Sequence, residues 1–132
     1  INGMQGDDNL SGGEGADKLM GDAGNDLIFG DAGADTLSGG VGADVLNGGQ
    51  GDDFLCGDAG ADVFVFTAGD GRDEIKGFDT AEDALQFFDV DLTDLNLVEN
   101  DLGISVEYGS DASILLYGLT FEQANDVDFI FL

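Results

Sequence analysis

Seven aspartates recur every nine residues through the first half of the chain: Asp8, Asp17, Asp26, Asp35, Asp44, Asp53 and Asp62. A carboxylate is a hard oxygen donor, and a series at constant spacing can do one of three things. It can sit solvated in turns, work as paired acids do in glycosidases, or hold divalent cations. Turn propensity accounts for one or two aspartates, not for seven in phase. No catalytic constellation stands apart from the series, so metal ligation is the chemistry that the spacing favours. The chain has no His, and its single Cys, Cys56, lies outside the turns. Softer metals therefore find nothing to select them. Carboxylate and carbonyl oxygens on flexible turns suit calcium better than magnesium, which demands a tighter octahedron.

The aspartates are the sixth letters of a nine-residue word that runs from Gly3 to Val65. Its first and fourth letters are always Gly, and its eighth is a large apolar residue: Leu10, Leu19, Ile28, Leu37, Leu46, Leu55 and Phe64. A fixed period predicts a solenoid. Glycines supply the turn. The last three letters alternate around one apolar side chain, as in a short strand with one buried side. One word cannot hide its own apolar residue, so words must stack. Two words then make a coil of 18 residues, with one strand in each of two facing parallel sheets.

Stacking places alternate sixth-letter carboxylates about 4.8 Å apart. Two bare charges at that spacing repel by roughly 3–4 kcal/mol at an effective dielectric of 20. An apolar residue gains only about 2–3 kcal/mol on burial. The metal-free roll should not hold together, and a dication between neighbouring turns reverses the sign of the term.

After Val65 the period slips by two residues and resumes once. Ala68 takes the first place, Gly69–Lys76 the second to ninth, with Asp73 sixth and Ile75 eighth. The slip should lengthen the seventh strand to about Val63–Phe66. Residues 77–132 do not repeat. Strands are expected over Ala84–Phe88, Leu95–Glu99, Ile104–Tyr108, Ser113–Tyr117 and Phe129–Leu132. A capping box at Thr120–Gln123 predicts a short helix. The organisation expected is one structural unit: a roll over 1–76 and a flank over 77–132 that caps it. In the odd words the outward positions turn greasy (Leu27, Phe29, Val45, Val63, Val65). Something should cover that sheet, and the rest of the chain is the expected cover, with Phe54, Leu27 and Phe29 packed beneath it.

The chain carries 29 Asp+Glu against 3 Lys+Arg, a formal charge of −26. Phosphate binding needs Lys and Arg, which excludes nucleic acid as a partner. Such a charge opposes compaction unless cations gather. The absence of His removes HExxH and Ser-His-Asp chemistry. No apolar run nears 18 residues, so no transmembrane segment is expected. No signal peptide is visible, and a start on Ile1 reads as a piece of a longer protein.

The Gly-Gly-x-Gly-x-Asp-x-apolar-x word resembles the RTX (repeats-in-toxin) family, whose repeats bind calcium. The likeness covers residues 3–65 fully and 68–76 weakly. It implies an all-β fold, a right-handed parallel β-roll with a C-terminal antiparallel β cap. In that family an ion sits between turns two words apart. The lower turn gives its second- and fourth-place carbonyls and its Asp. The upper turn gives its first- and third-place carbonyls and its Asp. Carried over, the first ion falls to Met4, Gly6 and Asp8 with Gly21, Ala23 and Asp26. The second falls to Gly13, Gly15 and Asp17 with Gly30, Ala32 and Asp35. The third takes Asp22, Gly24 and Asp26 with Gly39, Val41 and Asp44. The fourth takes Asp31, Gly33 and Asp35 with Gly48, Gln50 and Asp53. The fifth takes Gly40, Gly42 and Asp44 with Gly57, Ala59 and Asp62. A sixth would join Gly49, Gly51 and Asp53 to Ala68, Asp70 and Asp73. The family prefers Gly in the second place, where this chain has Met4, Asp22, Asp31 and Asp58.

Other acids read as ordinary. Asp7 and Asp52, in the fifth place, should face solvent, as should the side chains of Asp22, Asp31 and Asp58. Asp89, Asp91 and Asp94 hint at an EF-hand loop, but that loop needs Gly sixth and Glu twelfth, and Asp94 and Asn100 stand there. Cys56 is a free thiol with no His to activate it. Glu74, Arg72 and Lys76 read as surface charges. The resemblance implies a secreted, extracellular module, not itself an enzyme. Its partners would be calcium ions, a type I secretion machinery and upstream domains of the same protein. The C-terminal Asp128–Leu132, acidic then apolar, is similar to the end of type I secretion substrates. Two alternatives stay open: a carbohydrate-binding or adhesin module as in alginate epimerases, with a glycan ligand, and the C-terminal part of a secreted protease or lipase.

Overall fold

A computed structural model describes residues 1–132. Fourteen strands follow in chain order: β1 (Asn2–Gln5), β2 (Asn9–Glu14), β3 (Lys18–Ala23), β4 (Leu27–Ala32), β5 (Thr36–Val41), β6 (Val45–Asn47), β7 (Phe54–Ala59), β8 (Val63–Thr67), β9 (Arg72–Ile75), β10 (Ala84–Phe88), β11 (Asn96–Asn100), β12 (Gly103–Tyr108), β13 (Ala112–Tyr117) and β14 (Asp128–Phe131). The one helix, α1, is a single turn over Phe121–Ala124, closed by the reciprocal Thr120–Gln123 capping box. The fold is all-β, a parallel roll of about five coils with an antiparallel extension, β11 to β13.

Two sheets face each other. One has the order β1-β3-β5-β7-β9-β13-β12-β11, the other β14-β10-β8-β6-β4-β2. Strand neighbours in the roll are parallel and shifted by one coil, so Leu19 pairs with Leu37 and Leu37 with Leu55. Ile28, Leu46 and Phe64 do the same on the other side. Most strands run longer than three letters. Parallel pairing continues into the next word, as with Asp22 opposite Gly40.

The eighth-place side chains meet between the sheets. Leu19, Ile28, Leu37, Leu46, Leu55, Phe64, Ile75 and Leu85 are fully buried, and only Leu10, in the lowest coil, reaches 9% exposure. Each burial removes apolar surface worth about 2–3 kcal/mol. Beyond the repeats the core turns aromatic. The Tyr108 ring lies 5.3 Å from Phe87 and 6.1 Å from Phe66, both edge-on.

The slip after Val65 is absorbed at the corner. Thr67 N–H donates to Asp70 Oδ2 and Asp70 N–H to the Thr67 carbonyl, closing the extra residues into a turn. β9 then re-enters with Ile75 opposite Leu55.

The second half does not cover the greasy sheet. It extends both sheets instead. β10 and β14 add parallel strands beyond β8. β13 adds one beyond β9 and carries the antiparallel β12 and β11 outward. The rows of unpaired N–H and C=O on a terminal strand explain this choice, because edge pairing satisfies them and face-on packing would not. Leu27, Phe29, Val45, Val63 and Phe54 accordingly stay half-buried on outer faces, and of the greasy outward residues only Val65 is buried, at 9% exposure. Glu74 is no free surface charge either, since Tyr117 Oη donates to its Oε2 at 2.8 Å.

Candidate metal centre

Each sixth-place Asp stands where the turn enters its strand, and from Asp26 upward one carboxylate oxygen is spoken for. Oδ1 accepts the backbone N–H of the Asp one coil below. The pairs are Asp26 with Asp8 (2.8 Å), Asp44 with Asp26 (2.7 Å) and Asp62 with Asp44 (2.9 Å) on one side. On the other they are Asp35 with Asp17 (2.7 Å), Asp53 with Asp35 (2.8 Å) and Asp73 with Asp53 (3.0 Å). The sixth-place residues thus form two ladders, one along each edge of the roll.

The second oxygen has no partner. Oδ2 of Asp8, Asp17, Asp26, Asp35, Asp44, Asp53 and Asp62 is buried and accepts no hydrogen bond. Leaving one such charged oxygen buried costs more than a lost neutral hydrogen bond, and this chain does so seven times. A periodic orphan implies a periodic ligand.

The surroundings of those oxygens fit a cation. A Cβ placed on Gly3, Gly12, Gly21, Gly30 or Gly39 would lie within 3.0 Å of two oxygens. One is the orphan Oδ2 of the same turn. The other is the first-place carbonyl of the turn one coil up: Gly21, Gly30, Gly39, Gly48 and Gly57 in that order. Oxygens of like polarity converge there on a gap that only glycine leaves open. No three acidic side chains gather at one point. Two carboxylates per rung leave the remaining donors to backbone carbonyls and water, a donor set suited to calcium.

Two turn places keep that backbone in shape. All the second-place residues have positive φ, from 73° at Asp58 to 115° at Gly40. Asp tolerates this region, while Met4, at φ 82°, pays about 1–2 kcal/mol of strain with its side chain largely exposed. Met4→Gly is expected to raise stability by about 1 kcal/mol at fixed calcium, read as a higher urea midpoint. The fourth-place N–H donates to the third-place carbonyl of the next coil, from Gly6 to Ala23 through Gly51 to Asp70. This bond puts Ala68–Asp73 in register as an eighth turn.

Asp7, Asp31, Asp52 and Asp58 are exposed, as the sequence suggests, yet their carboxylates also bond the neighbouring coil. Asp7 Oδ1 accepts the Asn25 N–H, and Asp52 Oδ1 accepts the Arg72 N–H. Asn25 passes the pattern on to Ala43. Asp31 and Asp58 accept the hydroxyls of Ser11 and Ser38. Cys56 Sγ donates to Asp58, and burial pushes that thiol up to about 11. One rung escapes sequence reading altogether: Asp83, 5% exposed, whose Oδ1 accepts the Asp62 N–H at 3.0 Å. No glycine word surrounds it, so periodicity carries no signal there. Asp91 caps the 3-10 turn Leu92–Asp94, its side chain accepting the Thr93 N–H.

The upper ladder acids Asp53, Asp62 and Asp73 hold protons tightly. Burial first, then neighbouring carboxylates, push Asp53 and Asp62 up to about 6 and Asp73 to about 8, against the opposing backbone N–H bonds. The unfolded chain gives up these protons near pH 4. The folded, metal-free roll therefore binds more protons than the unfolded chain. That contribution is complete below about pH 4 and is lost as pH rises through 6 to 8. With metal stripped, the β signal in circular dichroism is expected to be stronger at pH 4 than at pH 8.

The model for the RTX calcium-binding nonapeptide repeat (4 copies) matches residues 2–37 and 29–64. No curated protein sequence matches. Among solved structures, the extracellular lipase LipA from Serratia marcescens is similar at 29% identity and a TM-score of 0.80, covering 90% of this chain and 20% of that one. The chain thus spans about a fifth of that lipase. Two subunits of the Azotobacter vinelandii mannuronan C5-epimerase also align. AlgE6R3 has 26% identity and a TM-score of 0.39, over 94% of this chain and 76% of that one. AlgE6R2 has 24% identity and 0.38, over 99% and 91%. No helix is long and apolar enough to cross a membrane. With its word, its roll and the matched model in agreement, residues 2–64 are RTX calcium-binding nonapeptide repeats.

Proposed function

We propose that the chain is a calcium-driven folding module of a larger extracellular protein, exported unfolded by a type I route and folded by calcium outside. The observation that carries the reading is the periodic orphan: one buried, unpartnered Asp Oδ2 in each of seven turns. The ions would lie between coils on six rungs: Asp8–Asp26, Asp17–Asp35, Asp26–Asp44, Asp35–Asp53, Asp44–Asp62 and Asp53–Asp73. Carbonyls of the flanking turns, from Met4 and Gly6 up to Ala68 and Asp70, would complete each shell. Bound there, calcium supplies positive charge between coils. The protein supplies spacing, dryness and a floor of apolar side chains.

Export follows from the same electrostatics. A chain of net charge −26 stays expanded where calcium is scarce and collapses where it is plentiful. The extracellular lipase that shares the fold supports a place outside the cell. The activity of the whole protein would belong to a domain other than this roll.

Small-angle scattering tests the reading. A folded chain of this length has a radius of gyration of about 14 Å, and an unfolded one about 37 Å. The larger value is expected in chelator and the smaller in millimolar calcium. A radius indifferent to calcium would overturn the proposal.

A further inference from the structure

The Asp62 rung differs from those below it. Its lower member is a repeat turn, Gly57–Asp62, and its upper member, Phe78–Asp83, has none of the glycines. Yet the strand side of the rung is reproduced. Asp62 N–H donates to Asp83 Oδ1. The Ala84 N–H donates to the Asp62 carbonyl at 2.9 Å, as Val63 does to Asp44 one coil below. Asp62 is 1% exposed and Asp83 5%, and Asp62 Oδ2 accepts nothing.

The orphans and the rungs match one to one. Every buried, unpartnered Oδ2 belongs to the lower Asp of a pair whose upper Asp takes its N–H, and the seventh such pair is Asp62–Asp83. Asp83 Oδ2 is not an orphan, because the Asp79 N–H donates to it at 2.8 Å. The upper turn is also poorer in carbonyls. Gly60 N–H lacks the carbonyl one coil up that the other fourth-place glycines find, from Gly6 to Gly51.

We infer that Asp62 and Asp83 hold a further divalent cation, one that staples the non-repeating half of the chain to the end of the roll. The inference rests on the calcium reading of the rungs below. Asp62 brings its free Oδ2 and the carbonyls of its own turn, and Asp83 brings a carboxylate anchored by Asp79. Water completes the shell in place of the missing carbonyl, so this site fills last. Its occupancy fixes β10 against β8 and, through β10, the parallel β14.

The test is an ion count on the full chain in calcium, by native mass spectrometry. Seven ions are expected for the native chain and six for Asp83→Asn, which keeps the Oδ1 acceptor but removes the charge. Hydrogen exchange over residues 77–88 should be faster in the variant. Equal counts in the two chains would overturn the inference. A native chain that binds no calcium would instead sink the calcium reading beneath it. Should Asp83→Asn fail to fold, anomalous scattering from a calcium-loaded native crystal decides: a peak beside Asp62 and Asp83 supports the site, and its absence overturns it.

Discussion

Removal of calcium is expected to unfold the chain. At about 10 mM free calcium, a site with a dissociation constant of about 0.1–1 mM, the range of extracellular modules, stabilises the folded state by about 1.4–2.7 kcal/mol. Six rungs together contribute about 8–16 kcal/mol. A whole domain of ordinary stability holds about 5–15 kcal/mol. Chelation therefore removes as much as the fold can spare, and it uncovers the repulsion within each ladder as well. Neighbouring rungs share an aspartate: Asp26 serves Asp8 below and Asp44 above. Filling one rung orders the next, so the transition should be steep in calcium. Circular dichroism during a calcium titration should show a sigmoid from coil to β. A native β spectrum that survives chelator at pH 8 would refute the account.

Gly42→Ala is expected to cost more than about 4 kcal/mol, enough to unfold many domains outright. Gly42 has φ 145°, which an L-residue adopts only under strain. Its new Cβ would overlap the carbonyl oxygen and carbon of Gly24, the fourth-place residue one coil below. Those atoms are backbone, and moving them parts the coils where Gly42 N–H donates to the Ala59 carbonyl at 2.9 Å. Gly15 occupies the same letter of the word with φ 111°, but nothing lies within 4 Å of its Cβ position, since no coil runs beneath it. Gly15→Ala should therefore cost only the strain, about 1–2 kcal/mol. Urea unfolding of both variants in saturating calcium separates the terms. Equal losses would show that coil stacking contributes nothing at the fourth letter.

The roll was legible because its sequence repeats a physical problem along with its solution. Every word needs a buried apolar residue, a sharp corner and a carboxylate, and each need has its own letter. The eighth turn could be read through its two-residue slip because Asp73 and Ile75 kept their spacing. What could not be read lies where the same geometry is reached by other residues. Asp83 takes its rung without glycines, its turn held by the Asp79 N–H instead. The fifth-place bonds of Asp7 and Asp52 depend on a neighbour 18 or 20 residues away, which local turn propensity does not register. The cover expected over Leu27 and Phe29 failed for a different reason. Hydropathy marks a greasy face, but it does not weigh that face against unpaired strand edges.

The pairing of Leu19 with Leu37 and Leu37 with Leu55, skipping every other word, gives the molecule a parity. Adding or deleting 18 residues leaves every later side chain on its own wall, and only the length changes. A change of nine exchanges the walls, sending Leu27 and Phe29 to the face of Lys18 and Thr36. Such a molecule can grow or shrink only in even numbers of words, so its natural unit of inheritance is the pair.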